Sequence, residues 1–268
     1  MIENFRVTDF HVHIFPDKIA KRVVKMLGEE AGIIPATDGT AADTLQKMRG
    51  WGVARSVLLP VATSVNQTKS INEFARGLFD IAGFESFAAL HPLSDTALSE
   101  LAEIKASGFR GIKLHPEYQG FNIADERFFP IYDYAEKEGL IIVIHSGYDV
   151  AYPDTRRAAP KAIRRVVDAF PRLKLVAAHM GGMEMWEDVL RYLAGTLVYF
   201  DTGCVAKYID LAIYKKLVYR HSPERVLFAS DLPWSTPEIE AGTLLKLSLP
   251  QDVLELIFEK NAERLLGR

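Results

Sequence analysis

Leu140-Ile-Ile-Val-Ile-His145 is apolar on both faces and closes on a histidine. A strand with one wet face alternates apolar and polar residues. This run does not, so it reads as a buried parallel strand, the kind an α/β fold covers on both sides. Upstream, a helical segment from Asp125 to Lys137 stops at Gly139, a residue suited to a left-handed helix end. Downstream, a second helical segment lies near Pro160–Phe170. The same unit recurs along the chain. Strand-like runs stand at Val7–Val12, Ser56–Val61, Phe84–Leu90, Phe109–His115, Leu140–Ile144, Leu173–Ala178, Leu197–Phe200 and Arg225–Ala229. Between them lie helical segments at 18–27, 43–49, 66–79, 94–106 (with Ser94 as its cap), 184–193 and 207–219. Two more close the chain near 237–247 and 251–265.

Eight strand–helix units in 268 residues predict a (β/α)8 TIM barrel, a fold typically of about 250 residues. An open doubly wound sheet uses the same alternation. Its Gly-rich dinucleotide turn would follow the first strand, where Asp9-Phe-His-Val-His13 stands instead. No linker and no shift of composition divides the chain, so residues 1–268 are expected to form a single domain.

Composition narrows the function. Lys+Arg 32 against Asp+Glu 35 gives a net charge of −3, without the basic surplus of a nucleic-acid binder. Hydrophobic residues at 49% and charged residues at 25% are those of an ordinary globular domain. The single cysteine, Cys204, excludes an internal disulfide and a cysteine-rich zinc site, and it fits a reducing compartment. The first residues have no basic stretch leading into an apolar run, and no apolar run approaches the roughly 20 residues needed to span a bilayer. The expectation is a cytoplasmic protein with a small-molecule substrate, no nucleic-acid or membrane partner, and room for homo-oligomers.

The histidines point to the chemistry. Six of the seven stand at predicted strand ends: His11 and His13, His91, His115, His145 and His179. Asp231 ends the eighth strand in the same way. In a βα barrel that rim is where active sites are built. With a side-chain period of two, Asp9, His11 and His13 share a face. His11 and His13 can reach one ion together, and His145 and Asp231 would complete a nitrogen/oxygen shell that suits zinc or a similar divalent metal. Such an ion lowers the pKa of its water toward about 7.

Asp9-Phe-His11-Val-His13, His145-Ser-Gly147, His179-Met-Gly-Gly182 and Ser230-Asp231-Leu-Pro-Trp234 together resemble the amidohydrolase superfamily. The resemblance is to its amidohydrolase-related branch, which includes the aminocarboxymuconate-semialdehyde decarboxylase-like metal-dependent TIM-barrel enzymes. It covers residues 9 to 234 in order. It implies a divalent metal, Zn2+ with Mn2+ as the alternative, and one ion rather than two. It also implies that His179 is a catalytic histidine rather than a ligand. A carbamylated, metal-bridging Lys113 is the binuclear alternative, although Lys113-Leu-His115-Pro116 departs from the clearest form of that arrangement. Asp9 is expected to orient a histidine ligand, and Lys113 to pair with Asp9 or a substrate carboxylate. Lys113, His115, Arg156, Tyr152 and Trp234 are candidate substrate contacts.

The reaction expected first is metal-dependent hydrolysis of a small amide, ester or lactone. Asp231 would take the proton of the attacking water and His179 would steady the oxyanion. The alternatives are a non-oxidative decarboxylase of an unsaturated or aromatic acid on the same site, and a barrel that binds metal without catalysis. A free His179 beside the ligands argues against the last.

Overall fold

A computed structural model describes residues 4–268. Eight parallel strand positions follow one another in chain order: β1 (Val7–Val12), β2 (Val53–Leu58), β3 (Phe84–Ser86 continued by Ala88–Ala89), β4 (Gly111–Leu114), β5 (Ile141–Ile144), β6 (Lys174–Ala177), β7 (Tyr199–Asp201) and β8 (Val226–Leu227). The first half of β3 pairs with β2 and the second half with β4, and the Phe87 N–H between them donates to Leu58 O at 2.9 Å. Each later strand pairs in parallel with the next. The ring closes where Phe10 N–H donates to Phe228 O (2.9 Å), Asp231 N–H to His11 O (2.9 Å) and His13 N–H to Leu232 O (2.7 Å). This is the expected (β/α)8 barrel.

Two apolar layers hold it. In β5, Ile141 and Val143 face an inner cluster with Phe10, Val57, Phe87 and Val176, while Ile142 and Ile144 face the outer cluster beneath the helices. That double burial is why the run carries no polar residue. Gly111 makes room for the inner layer, because a Cβ there would lie 2.5 Å from both the Phe87 ring and Ile141 O. Leu265 and Leu266, on the final helix Asn261–Leu266, complete the inner cluster.

The strand ends lie within a few residues of the sequence reading, and Gly139 is the left-handed C-cap of its helix. Ser94 does not cap its helix as expected. The helix Ala97–Ala106 starts after Thr96, and the Ser94 hydroxyl bonds to Glu100 at 2.7 Å. Strict alternation also fails in β1. Asp9 pairs with Ser56 and Val12 with Leu58, so three steps on β1 face two on β2. This extra residue is a bulge, a device that re-aims side chains. Phe10 enters the inner cluster and Asp9 turns to Ser230, away from the site of His11 and His13.

Candidate active site

The strand ends bring three metal-ligating atoms together. His11 and His13 at the end of β1 and Asp231 after β8 each offer one, all within 4.8 Å of one another. His13 Nδ1 lies 2.8 Å from Leu59 O. A carbonyl only accepts, so that nitrogen carries the proton and Nε2 is bare. His11 Nδ1 lies 2.9 Å from Asp201 Oδ2, which by the same logic leaves its Nε2 bare. The two Nε2 atoms are 3.1 Å apart. Asp231 Oδ1 lies 3.4 Å from His11 Nε2 and 3.2 Å from His13 Nε2, and it is buried without a hydrogen-bond partner. His11 Nε2 can accept from Lys113 Nζ at 3.1 Å, but His13 Nε2 and the orphaned Asp231 oxygen, two acceptors 3.2 Å apart, repel each other unless a cation lies between them. The donor types and the open geometry fit a divalent ion of the zinc kind.

Electrostatics agree. Burial, reinforced by Lys113, pushes the His11 imidazole down to about 4, so it is neutral at physiological pH. Burial alone would raise the Asp231 carboxyl, but the imidazoles around it, His11 first, hold it well below the usual carboxylate range. Asp201 is likewise fully buried, and His11 offsets the burial to keep it ionised with a pKa of about 2. Lys113 Nζ lies 3.1 Å from His11 Nε2, inside this group rather than beside Asp9. Burial brings it down to about 8 against the pull of Asp201 and Asp231.

His145 and His179 form a second unit. His179 Nδ1 bonds to Gly203 O at 2.8 Å and its Nε2 lies 3.0 Å from His145 Nδ1. The His179 ring centroid is 5.5 Å from that of His11. His145 is thus not gathered with His11, His13 and Asp231. Its Nε2 lies near Asp149 Oδ2 (3.7 Å), as does that of His115 (3.4 Å). The His115 and His145 rings stack 4.2 Å apart at 10°. Ring lone pairs lie in the ring plane, so two stacked rings direct theirs side by side rather than at one ion. Burial pushes both imidazoles well below their ordinary value.

The remaining candidates scatter around the rim. Tyr152 is half-buried and packs edge-on against Tyr118, 5.2 Å away, which in turn meets His115 at 4.4 Å. Trp234 is half-buried in the turn after Asp231, with its N–H donating to Asp231 O. Arg156 is exposed. It donates to the carbonyls of Pro153 and Thr155, and its guanidinium lies 4.7 Å over Tyr148.

The orienting carboxylate differs from the one expected from the sequence. Asp9 accepts from the Ser230 N–H (2.9 Å), the Ser230 hydroxyl (2.5 Å) and the His11 backbone (3.2 Å), latching β1 to the end of β8. The residue that orients the His11 ring is Asp201. Its second oxygen accepts the backbone N–H groups of His179 (3.0 Å) and Gly203 (3.0 Å). One buried carboxylate therefore holds both a ligand and the neighbouring histidine. His179, Met180, Cys204 and Asp231 all have positive φ, at 59°, 54°, 57° and 62°. For non-glycine residues this is costly and tends to cluster at functional sites.

Residues 8–268 match the amidohydrolase family. The chain belongs to that family. Among curated relatives of this chain is the dihydroorotase of Shewanella sediminis, 26% identical over 150 residues, covering 51% of this chain and 44% of that enzyme. The chain thus aligns with less than half the length of that relative. Solved structures with the same fold include a dihydroxybenzoic acid decarboxylase from Polaromonas sp. JS666 with bound manganese. It has TM-score 0.73 and 14% identity, over 98% of this chain and 97% of that one. A putative 2-pyrone-4,6-dicarboxylic acid hydrolase from Pseudomonas putida has TM-score 0.67 and 17% identity, over 98% of both chains. The barrel is therefore shared with a decarboxylase and with a putative hydrolase. No helix among its described residues is long and apolar enough to cross a membrane.

Proposed function

We propose that this amidohydrolase hydrolyses a small-molecule amide, ester or lactone with the help of one divalent metal, zinc before manganese. The observation that carries this is the convergence of His11 Nε2, His13 Nε2 and the unpartnered Asp231 Oδ1 at the mouth of the barrel. These three residues would hold the ion, and His145 can join them through Nδ1 only by giving up its bond to His179. When bound, such an ion polarises a carbonyl and makes water a nucleophile near neutral pH. Asp231 offers the oxygen that takes the proton of the attacking water and passes it to the leaving group. His179 is fixed at Nδ1 by Gly203 O and presents Nε2 toward the site. With Nε2 also protonated, it would donate to the substrate oxygen in place of His145 and stabilise developing negative charge. Asp201 keeps His11 in the tautomer whose Nε2 is bare. The lone cysteine fits a reducing, cytoplasmic setting.

Hydrolysis is preferred to decarboxylation because a ring acid needs a fixed cation for its carboxylate. Arg156 is occupied by loop carbonyls and a tyrosine face, and Lys113 is buried beside the charges of Asp201 and Asp231. The decarboxylase neighbour supports the second reading. The test is a panel of lactones, esters and amides run beside dihydroxybenzoates, with CO2 release monitored. Chelation should abolish cleavage, and Zn2+ or Mn2+ should restore it. Metal-dependent CO2 release with no cleavage of any ester, lactone or amide would reverse the assignment, and full activity in demetallated protein would end the metal-dependent reading.

A further inference from the structure

Glu240 lies in the helix Pro237–Lys246, nine residues beyond Asp231, and its side chain is buried against the loops that build the site. Its Oε1 accepts the Ser235 hydroxyl at 2.6 Å and its Oε2 accepts the Ala206 N–H at 3.0 Å. Ser235 belongs to the turn after β8 that carries Asp231. Ala206 belongs to the loop after β7 that carries Gly203, whose carbonyl fixes His179. We propose that Glu240 is a positioning residue of the metal centre: it staples the β7 loop to the β8 loop and so sets Asp231 against His11 and His13. The inference rests on the metal-dependent reading above.

Three features of these loops show why such a staple is needed. The loops touch: a Cβ on Gly203 would stand 3.1 Å from Asp231 Cβ, and the Cys204 N–H reaches Ser230 O at 3.3 Å. Both loops carry a non-glycine residue in the left-handed region, Cys204 and Asp231, a conformation that persists only where the surroundings over-determine it. Finally, Asp231 Oδ1 has no hydrogen bond of its own to aim it, so its direction comes from the backbone beneath. Glu240 makes no hydrogen bond to a candidate ligand, and its bonds to Ser235 and Ala206 act through the two loops. Burial also pushes its carboxyl up to about 8, so near neutral pH it is an uncharged acid, whose Oε1–H can turn to the Ser235 oxygen while Oε2 still accepts from Ala206, a pattern that glutamine can imitate. The glutamine oxygen can accept the Ala206 N–H while its amide donates to the Ser235 hydroxyl.

The test is Zn2+ affinity, measured by competition with a chromogenic chelator on the full chain, with thermal melting run beside it. Outer-shell partners of metal ligands typically contribute about 10–100-fold in affinity, and Glu240→Ala should lose an amount in that range. Glu240→Gln should stay within about threefold of the wild type, on the same scale. Leu265→Ala, a cavity variant in the inner cluster, supplies a destabilised chain for comparison. Wild-type affinity in Glu240→Ala overturns the proposal. So does a loss in Glu240→Gln as large as in Glu240→Ala, or an equal loss in Leu265→Ala. Should Glu240→Ala fail to fold, Ser235→Ala removes one end of the staple and must itself weaken zinc, and unchanged affinity there overturns the proposal. A wild-type chain that takes up no zinc would instead sink the metal-dependent reading, a result distinct from these.

Discussion

Replacing Asp201 by asparagine changes one atom of the site and reverses one proton. Asp201 Oδ1 accepts from the His179 and Gly203 N–H groups, both at 3.0 Å, and Oδ2 faces His11 Nδ1 at 2.9 Å. The asparagine oxygen keeps the two backbone bonds, so its amide nitrogen must face His11. An amide nitrogen donates and does not accept. His11 then moves its proton from Nδ1 to Nε2, the atom 3.1 Å from His13 Nε2 and 3.4 Å from Asp231 Oδ1. The ligand lone pair is replaced by a hydrogen, and the negative charge behind it is gone. Losing an outer-shell carboxylate of this kind costs about 10–100-fold in metal affinity, equivalent to about 1.4–2.7 kcal/mol. The fold should survive, since two of three hydrogen bonds remain. Alanine, by contrast, would orphan two buried N–H groups at about 1–3 kcal/mol each. The assay is zinc affinity by chelator competition, with elemental analysis of the purified variant. An Asp201→Asn protein that melts like the wild type and also binds zinc as tightly would refute the tautomer argument.

Two further predictions concern stability. Burial holds the His221 imidazole at about 4, with Nε2 donating to Val198 O at 2.8 Å and the ring stacked 3.8 Å from Phe200. The unfolded chain takes up that proton near 6.5, so the unfolded state binds more protons between the two values and stability falls as pH drops from 6.5 to 4. The full effect is about 3 kcal/mol, and His221→Phe should shrink the loss between pH 7 and pH 4.5 in urea unfolding by up to that amount, leaving the shares of His11, His115 and His145. An unchanged pH dependence would count against it. Gly203→Ala places a methyl 3.1 Å from Asp231 Cβ and 3.2 Å from Asp201 Oδ1, and should cost about 1–3 kcal/mol by overpacking. Gly242→Ala, in a helix with nothing within 4 Å of the added carbon, should instead stabilise by about 0.4–1 kcal/mol. Equal melting temperatures for the two variants would contradict the close approach of the loops.

The barrel was legible in the sequence because its signal is repeated. A run such as Leu140–Ile144 has no polar residue to lose, and eight strand–helix units leave little choice of architecture. The histidine positions were legible for the same reason, since each closes an apolar run. Asp9 departs from its expected role because unbroken parity along β1 would put it on the face of His11 and His13. The bulge between Asp9 and Val12 is set by pairing with β2 and the closure against β8, which no local pattern records. Asp201 was overlooked although a carboxylate closing Val198-Tyr-Phe-Asp201 carries the same signature as Asp231. The apolar run itself ends at Phe200, so this carboxylate stands one residue past the strand signal. The pairing of His145 with His179 depends on ring orientations across β5 and β6, beyond the reach of spacing. Glu240 looks like any surface carboxylate of an amphipathic helix until the loops fold over it.

Anomalous diffraction at the zinc edge, on crystals of the metal-loaded protein, tests the central claim most directly. The expected result is one peak at the mouth of the barrel, about 2.0–2.2 Å from His11 Nε2, His13 Nε2 and an Asp231 oxygen. A peak between His115 and Asp149 alone, or no peak at the His11–His13–Asp231 group in protein that elemental analysis shows to hold zinc, would contradict it.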